Sequence, residues 1–303
     1  MTIIRSITEA LVILTALAGI AEAGGSSCPP DMPRAVSLSP DSTEILAEFL
    51  PPACFQAVDA NSNYPPGIQE VPTAGDFYSV NLEFLASLDF DIIAAGNSFN
   101  GVFLEKLKQS YPDILIMKLE SANNVPESIR EAGKRIGMAK EADRKADQME
   151  KILRDTLNRY RTSPRVRVLP VIWQKPLIGA APGTYIHELI QICGGENILP
   201  RSPVKYPEVS AETLIAGKAD IIINFTGGSM SGGISGAGAA DPLPLPAGLK
   251  IREYRFSNQD LVMRSTPRSL TQGLPEICSI IENARGFPAR PSDKSLPPVT
   301  QAR

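Results

Sequence analysis

Two α/β lobes with mostly parallel sheets, joined by one long rigid helix, are predicted for this 303-residue chain by three observations. Short apolar runs bounded by turn residues alternate with helical stripes, the pattern of a parallel sheet covered on both faces. A Glu-to-Asp step of eight residues, from Glu83 to Asp91, recurs from Glu212 to Asp220, shifted by 129 positions. Between the two copies, residues 139–160 contain neither proline nor glycine, and Ala142, Ala146, Met149, Leu153, Leu157 and Tyr160 follow i+3 and i+4 steps, which predicts one amphipathic helix.

The elements follow in order. Residues 1–23 carry Arg5, an apolar run over 10–21 and a small-x-small end at Ala21-Glu22-Ala23; this reads as a cleavable signal peptide, since the run is too short to span a bilayer. A soluble exported chain is therefore expected. Residues 34–39 predict a buried strand, and Pro40-Asp-Ser-Thr-Glu44 supplies helix-start chemistry before Ile45, Leu46 and Phe49. A second strand over 55–59 enters a loop at Asn61-Ser-Asn-Tyr-Pro-Pro-Gly67. Strands are expected at 91–95 and 114–117, flanking a helix near 102–110. After Ser163-Pro164 a second strand-led half begins at Arg165. It continues with a helix over 185–193, stopped by Gly194-Gly195, and a strand over 219–225. In each half the repeated Glu, Glu83 or Glu212, falls in the first turn of a short helix, where the helix dipole favours a carboxylate facing solvent. The Rossmann-like lobes are thus expected at 28–138 and 164–284, with the linking helix at 139–163. Thr226–Gly248 reads as a flexible glycine- and proline-rich loop, and 285–303 as a disordered tail.

Composition excludes several functions. With 30 basic and 33 acidic side chains there is no positive surplus to neutralise phosphates, so nucleic acid is not expected as a partner. One histidine, His187, leaves little room for zinc chemistry or a catalytic triad, and no P-loop lysine or nucleophile elbow is present. A binder, not an enzyme, is expected, with no resident cofactor or metal. The rival is a secreted hydrolase using His187 with a serine of the glycine-rich loop. The four cysteines, Cys28, Cys54, Cys193 and Cys278, allow three connectivities in an oxidising compartment. Pairing Cys28 with Cys54 and Cys193 with Cys278 keeps each bridge within one half.

A cleft between two lobes is a common small-ligand site. Here the residues resemble a family: Arg34-Ala-Val-Ser-Leu-Ser-Pro40 with Thr43-Glu44, Asn63-Tyr64-Pro65-Pro66, Asn81-Leu82-Glu83, Cys193-Gly-Gly-Glu-Asn-Ile198, Tyr206-Pro207-Glu-Val-Ser-Ala-Glu212, Asp260 with Arg264 and Pro267-Arg268, and Cys278. The chain resembles the substrate-binding proteins of ABC importers whose lobes are joined by one rigid helix, and among them the cobalamin binders, over about residues 34–284. The resemblance implies a periplasmic, monomeric receptor that captures a corrinoid and hands it to the transmembrane permease of an ABC importer. It makes Glu83 and Glu212 the permease-docking carboxylates and supports the Cys193–Cys278 bridge.

For the ligand it implies Tyr64 as a stacking ring, Phe77 and Tyr206 where cobalamin binders carry tryptophans, and Asp260 and Arg264 as polar cleft residues. Two departures, Gly96 in place of a further cleft tryptophan and Leu177 in place of a phenylalanine, imply a wider, less aromatic pocket. A ferric siderophore or other metal chelate is the alternative ligand. Free zinc or manganese is disfavoured by the single histidine, and haem requires an axial ligand such as a cleft tyrosine.

Overall fold

The structure, a computed structural model, describes residues 27–76, 79–96, 101–226 and 243–286. The expected signal peptide, Phe77, residues 227–242 of the glycine-rich segment and the tail beyond Gly286 lie outside them. The N-terminal lobe is a five-stranded, wholly parallel sheet in the order β3-β2-β1-β4-β5. Its strands are β1 (Ala35–Ser37), β2 (Phe55–Asp59), β3 (Thr73–Gly75), β4 (Ile92–Gly96) and β5 (Leu115–Met117). Interleaved helices are α1 (Pro40–Leu46), α2 (Leu82–Ser87), α3 (Gly101–Ser110) and α4 (Asn124–Arg135), and the linking helix α5 is Ala139–Tyr160.

The C-terminal lobe has β6 (Val166–Trp173), β7 (Ile178–Gly179), α6 (Tyr185–Ile192), β8 (Gly195–Asn197), α7 (Ala211–Gly217), β9 (Ile221–Asn224), β10 (Arg252–Arg255), α8 (Asp260–Met263) and α9 (Leu274–Arg285). Its sheet runs β10-β9-β6-β7, with β8 also on β6; only β7 is antiparallel. The two sheets confirm the expected fold class.

The repeat is structural. Asp91 Oδ2 accepts from the Arg34 backbone N–H at 2.8 Å, and Asp220 Oδ2 from the Arg167 N–H at 2.8 Å. In register, Ala35 faces Ile92 as Val168 faces Ile221. Each Asp thus anchors the start of its lobe's central strand pair at an equivalent point of the two halves.

Pleating divides the core. In β4, Ile93 and Ala95 face a cluster confined to the first lobe, and in β6, Leu169 and Val171 face one confined to the second. Their neighbours Ile92, Ala94, Val166 and Val168 face a shared core with Ala142, Ala146, Met149, Leu153 and Tyr160 of α5. One helix face thereby cements both lobes, since non-polar burial is worth about 25 cal/mol per Å². Leu157 departs from the expected stripe: it is 46% exposed. The N-lobe end of α5 is clamped to α4, where Gly133 is required because a Cβ there sits 2.1 Å from that of Ala142. Arg130 of α4 adds ion pairs to Asp147 at 2.7 Å and Glu150 at 2.5 Å.

Both expected disulfides, Cys28–Cys54 and Cys193–Cys278, are present. Arg285, expected as the first residue of the tail, belongs to the folded lobe. Arg285 is the last residue of α9, donating from Nε to Pro164 O at 3.0 Å and from Nη2 to Cys193 O at 2.6 Å, with its guanidinium 4.9 Å from the centre of the Tyr160 ring.

Candidate functional site at the interlobe face

In the first sheet the chain winds from β1 through β2 to β3, then crosses to β4 on the other side of β1. The carboxyl ends of β1 and β4 flank that switch point, where parallel sheets bind ligands. Three N-lobe segments leave these ends: Ser39–Glu44 after β1, Asn61–Pro66 after β2, and Gly96 closing β4. Ser39 caps α1, accepting from Ser42 N, and receives the Gly96 N–H at 2.8 Å. Behind it Ser37, Ser42, Thr43 and Ser62 form a buried hydroxyl chain, with Thr43 Oγ1 2.8 Å from Ser37 Oγ and 2.9 Å from Ser62 Oγ. A side chain at position 96 would meet Asp41, whose carboxylate oxygens lie 2.7 Å from the Cβ site. The tryptophan-to-glycine departure therefore accompanies a carboxylate occupying that space.

From the second lobe the segment after β10 reaches across. Asn63 Nδ2 donates to Asp260 Oδ2 at 2.7 Å. Arg264 donates to Asn63 Oδ1 at 3.3 Å and Asn61 O at 3.4 Å. Arg268 lays its guanidinium on the Tyr64 ring, 3.9 Å from the centroid, a stacking contact typical of Arg on an aromatic face. Glu44 Oε1 lies 3.4 Å from Arg268 Nη1 and 3.9 Å from Arg264 Nη1. Arg264 is also 3.7 Å from Asp260, so the local i,i+4 ion pair exists within a larger interlobe cluster.

The structure thus brings Tyr64, Asp260 and Arg264 together and adds Asn63, Glu44 and Arg268. Those three stand in the motifs that carry the resemblance, but nothing in their spacing shows that positions 44 and 268 touch. Leu177, which the resemblance implies as a ligand residue in place of a cleft phenylalanine, is 5% exposed and packs with Leu169, Val171 and Leu199 in the C-lobe core. Tyr206 is exposed at 45%, and it makes none of the interlobe contacts above. Glu83 and Glu212 both lie in first turns, of α2 capped by Asn81 and α7 capped by Ser210, and both are exposed.

Burial sets the site's electrostatics. Desolvation pushes the Glu44 carboxyl up to about 7, outweighing the Arg268 and Arg264 guanidiniums that favour its charge. It also pushes Asp59, at the end of β2, up to about 6 against the N–H of Asn61. A folded pKa above the unfolded one gives stability that is complete below the unfolded value and is lost as pH rises through the folded one. For Glu44 that window runs from about 4.5 to about 7 and spans roughly 3 kcal/mol. The melting temperature is expected to fall between pH 5 and 7.5, and Glu44→Gln to flatten the part above pH 6; an unchanged slope in the variant refutes this assignment.

Two open hollows of about 630 and 600 Å³ are lined by none of the cluster residues. The second holds His187, whose Nδ1 is buried without a hydrogen-bond partner and whose pKa is lowered by burial and then by Arg201.

Comparison with known proteins agrees with this geometry. A vitamin B12-binding protein of Vibrio parahaemolyticus is 25% identical over 253 residues, covering 83% of this chain and 90% of that one. Another, from Pectobacterium carotovorum, is 28% identical over 194 residues, covering 63% and 70%. Among solved structures, the periplasmic vitamin B12-binding protein of Vibrio cholerae superposes with a TM-score of 0.69 at 24% identity, covering 84% of this chain and 98% of that one. A periplasmic haem-binding protein of Roseiflexus superposes at 0.65 and 23%, covering 83% and 98%. The family profile for periplasmic binding proteins matches residues 36–233, from β1 through α5 and past β9. With two sheets around one helix and a polar cluster bridging their carboxyl ends, the chain belongs to the periplasmic binding protein family.

Proposed function

We propose that the protein is the exported, monomeric receptor of an ABC importer and captures a corrinoid between its lobes. The observation that carries this reading is the interlobe cluster. Tyr64 supplies a flat face, while Asn63, Asp260 and Arg264 supply fixed donors and acceptors, the combination that suits a planar, amide-fringed ring. The vitamin B12-binding relatives, matched over most of their length, support the same ligand class. Glu83 and Glu212, exposed at equivalent points of the repeat, are the proposed contacts to the permease. The mechanism is capture and hand-over, with no bond made or broken. Among the described residues His187 Nδ1 meets no acid of the kind that orients a catalytic imidazole.

Calorimetric titration with cyanocobalamin, cobinamide, haemin and a ferric siderophore panel tests the ligand. One-to-one binding of a corrinoid, with no heat from the others, is the expected outcome. Saturable binding of a siderophore alone moves the assignment to the chelate alternative.

A further inference from the structure

Glu44 is buried in the N lobe, yet its carboxylate partners are the C-lobe Arg264 and Arg268. Arg268 in turn covers one face of Tyr64. The set is only half satisfied: Glu44 Oε2 and Arg268 Nε are both buried without hydrogen-bond partners. With one oxygen and one guanidinium N–H left over, and the Thr266 hydroxyl as the other group favouring the ionised carboxylate, the geometry of the pair depends largely on charge. We propose that Glu44 and Arg268 are positioning residues for the ligand face: the ionised carboxylate holds the C-lobe guanidiniums against the N lobe, keeps Arg268 stacked on Tyr64, and leaves the opposite ring face for the ligand. The affinity part of this inference rests on the corrinoid reading above; the interlobe couple does not.

The groups facing Glu44 can be enumerated. Its own helix carries Asp41, Asp59 at the β2 end acts on the same Arg264 that faces Glu44, and β1 and β4 carry no titratable group. The face of α4 toward the core is apolar through Val125 and Ile129. The C lobe presents Arg264, Arg268 and Asp260, with the Tyr185 phenol held protonated by burial. Burial lifts both the Glu44 and the Asp59 carboxyls toward neutrality, so a comparison of two variants separates them.

A double-mutant cycle on unfolding, using Glu44→Gln and Arg268→Met, reads the couple without any ligand. At pH 8 the pair is expected to be non-additive by about tenfold in the unfolding constant, falling to about twofold or less at pH 6. Additive behaviour at pH 8 overturns the proposal. The second measurement is the Kd for cyanocobalamin across the same range. Wild type is expected to weaken about tenfold from pH 8 to pH 6, Glu44→Gln to be weak and flat, and Asp59→Asn to keep the wild-type slope. A Glu44→Gln variant that retains the wild-type slope overturns the proposal, and an Asp59→Asn variant that loses it assigns the effect to Asp59 instead. Absence of corrinoid binding in wild type sinks the functional reading, while the cycle still decides the couple.

Discussion

Reversing both Glu83 and Glu212 to lysine is expected to reduce ligand uptake through the partner permease by at least about a hundredfold while the Kd for ligand in solution stays unchanged. The physical basis is position. Each carboxylate sits in the first turn of a short helix, exposed, at matching places in the duplicated halves, and neither takes part in the interlobe cluster. A pair of equivalent acidic points suits a partner built with two-fold symmetry, and reversal turns two attractions into two repulsions. Either single reversal is expected to retain part of the uptake. Reconstituting the permease in vesicles and measuring ligand accumulation with each purified variant checks this. A double reversal that transports normally, or one that loses ligand affinity, removes the docking role.

Replacing Cys193 and Cys278 together with alanine is expected to cost about 4–5 kcal/mol, because the bridge closes a chain separation of 85 residues. For a domain of this size that corresponds to a fall in melting temperature of roughly 10 °C or more. The bridge joins the end of α6 to α9, and Arg285 and Tyr160 pack beside it at the junction with the linking helix. The loss therefore loosens the seat of α5 on the C lobe as well as the unfolded-state constraint. Removing the Cys28–Cys54 bridge, with a separation of 26, is expected to cost less by the logarithmic dependence on loop length. Scanning calorimetry of the two double variants gives the order; a larger loss from Cys28–Cys54 refutes it.

Much of this fold is legible one residue at a time. The stripe from Ala142 to Tyr160 marks α5 because helical periodicity needs only local spacing. The step from Glu83 to Asp91 and its copy mark two equivalent halves because each Asp must meet the strand that starts its lobe. By contrast β3, β7 and β8 are two or three residues long, too short for any period to show, and their strand character comes from pairing with a neighbour. Leu157 misleads: the stripe predicts burial for a leucine that is 46% exposed, because a period marks a face but not how far a neighbour covers it.

Residue identity and local order raised the expectation of an export signal and offered one pairing of the four cysteines, and the resemblance implied Tyr64, Asp260 and Arg264 as ligand residues. The meeting of Glu44 with Arg268, of Asn63 with Asp260, and the lifting of the Glu44 carboxyl toward neutrality are matters of folding alone. These partners stand about two hundred positions apart, 224 for Glu44 and Arg268 and 197 for Asn63 and Asp260. Desolvation is a property of the enclosure two lobes make, which no stretch of chain possesses by itself.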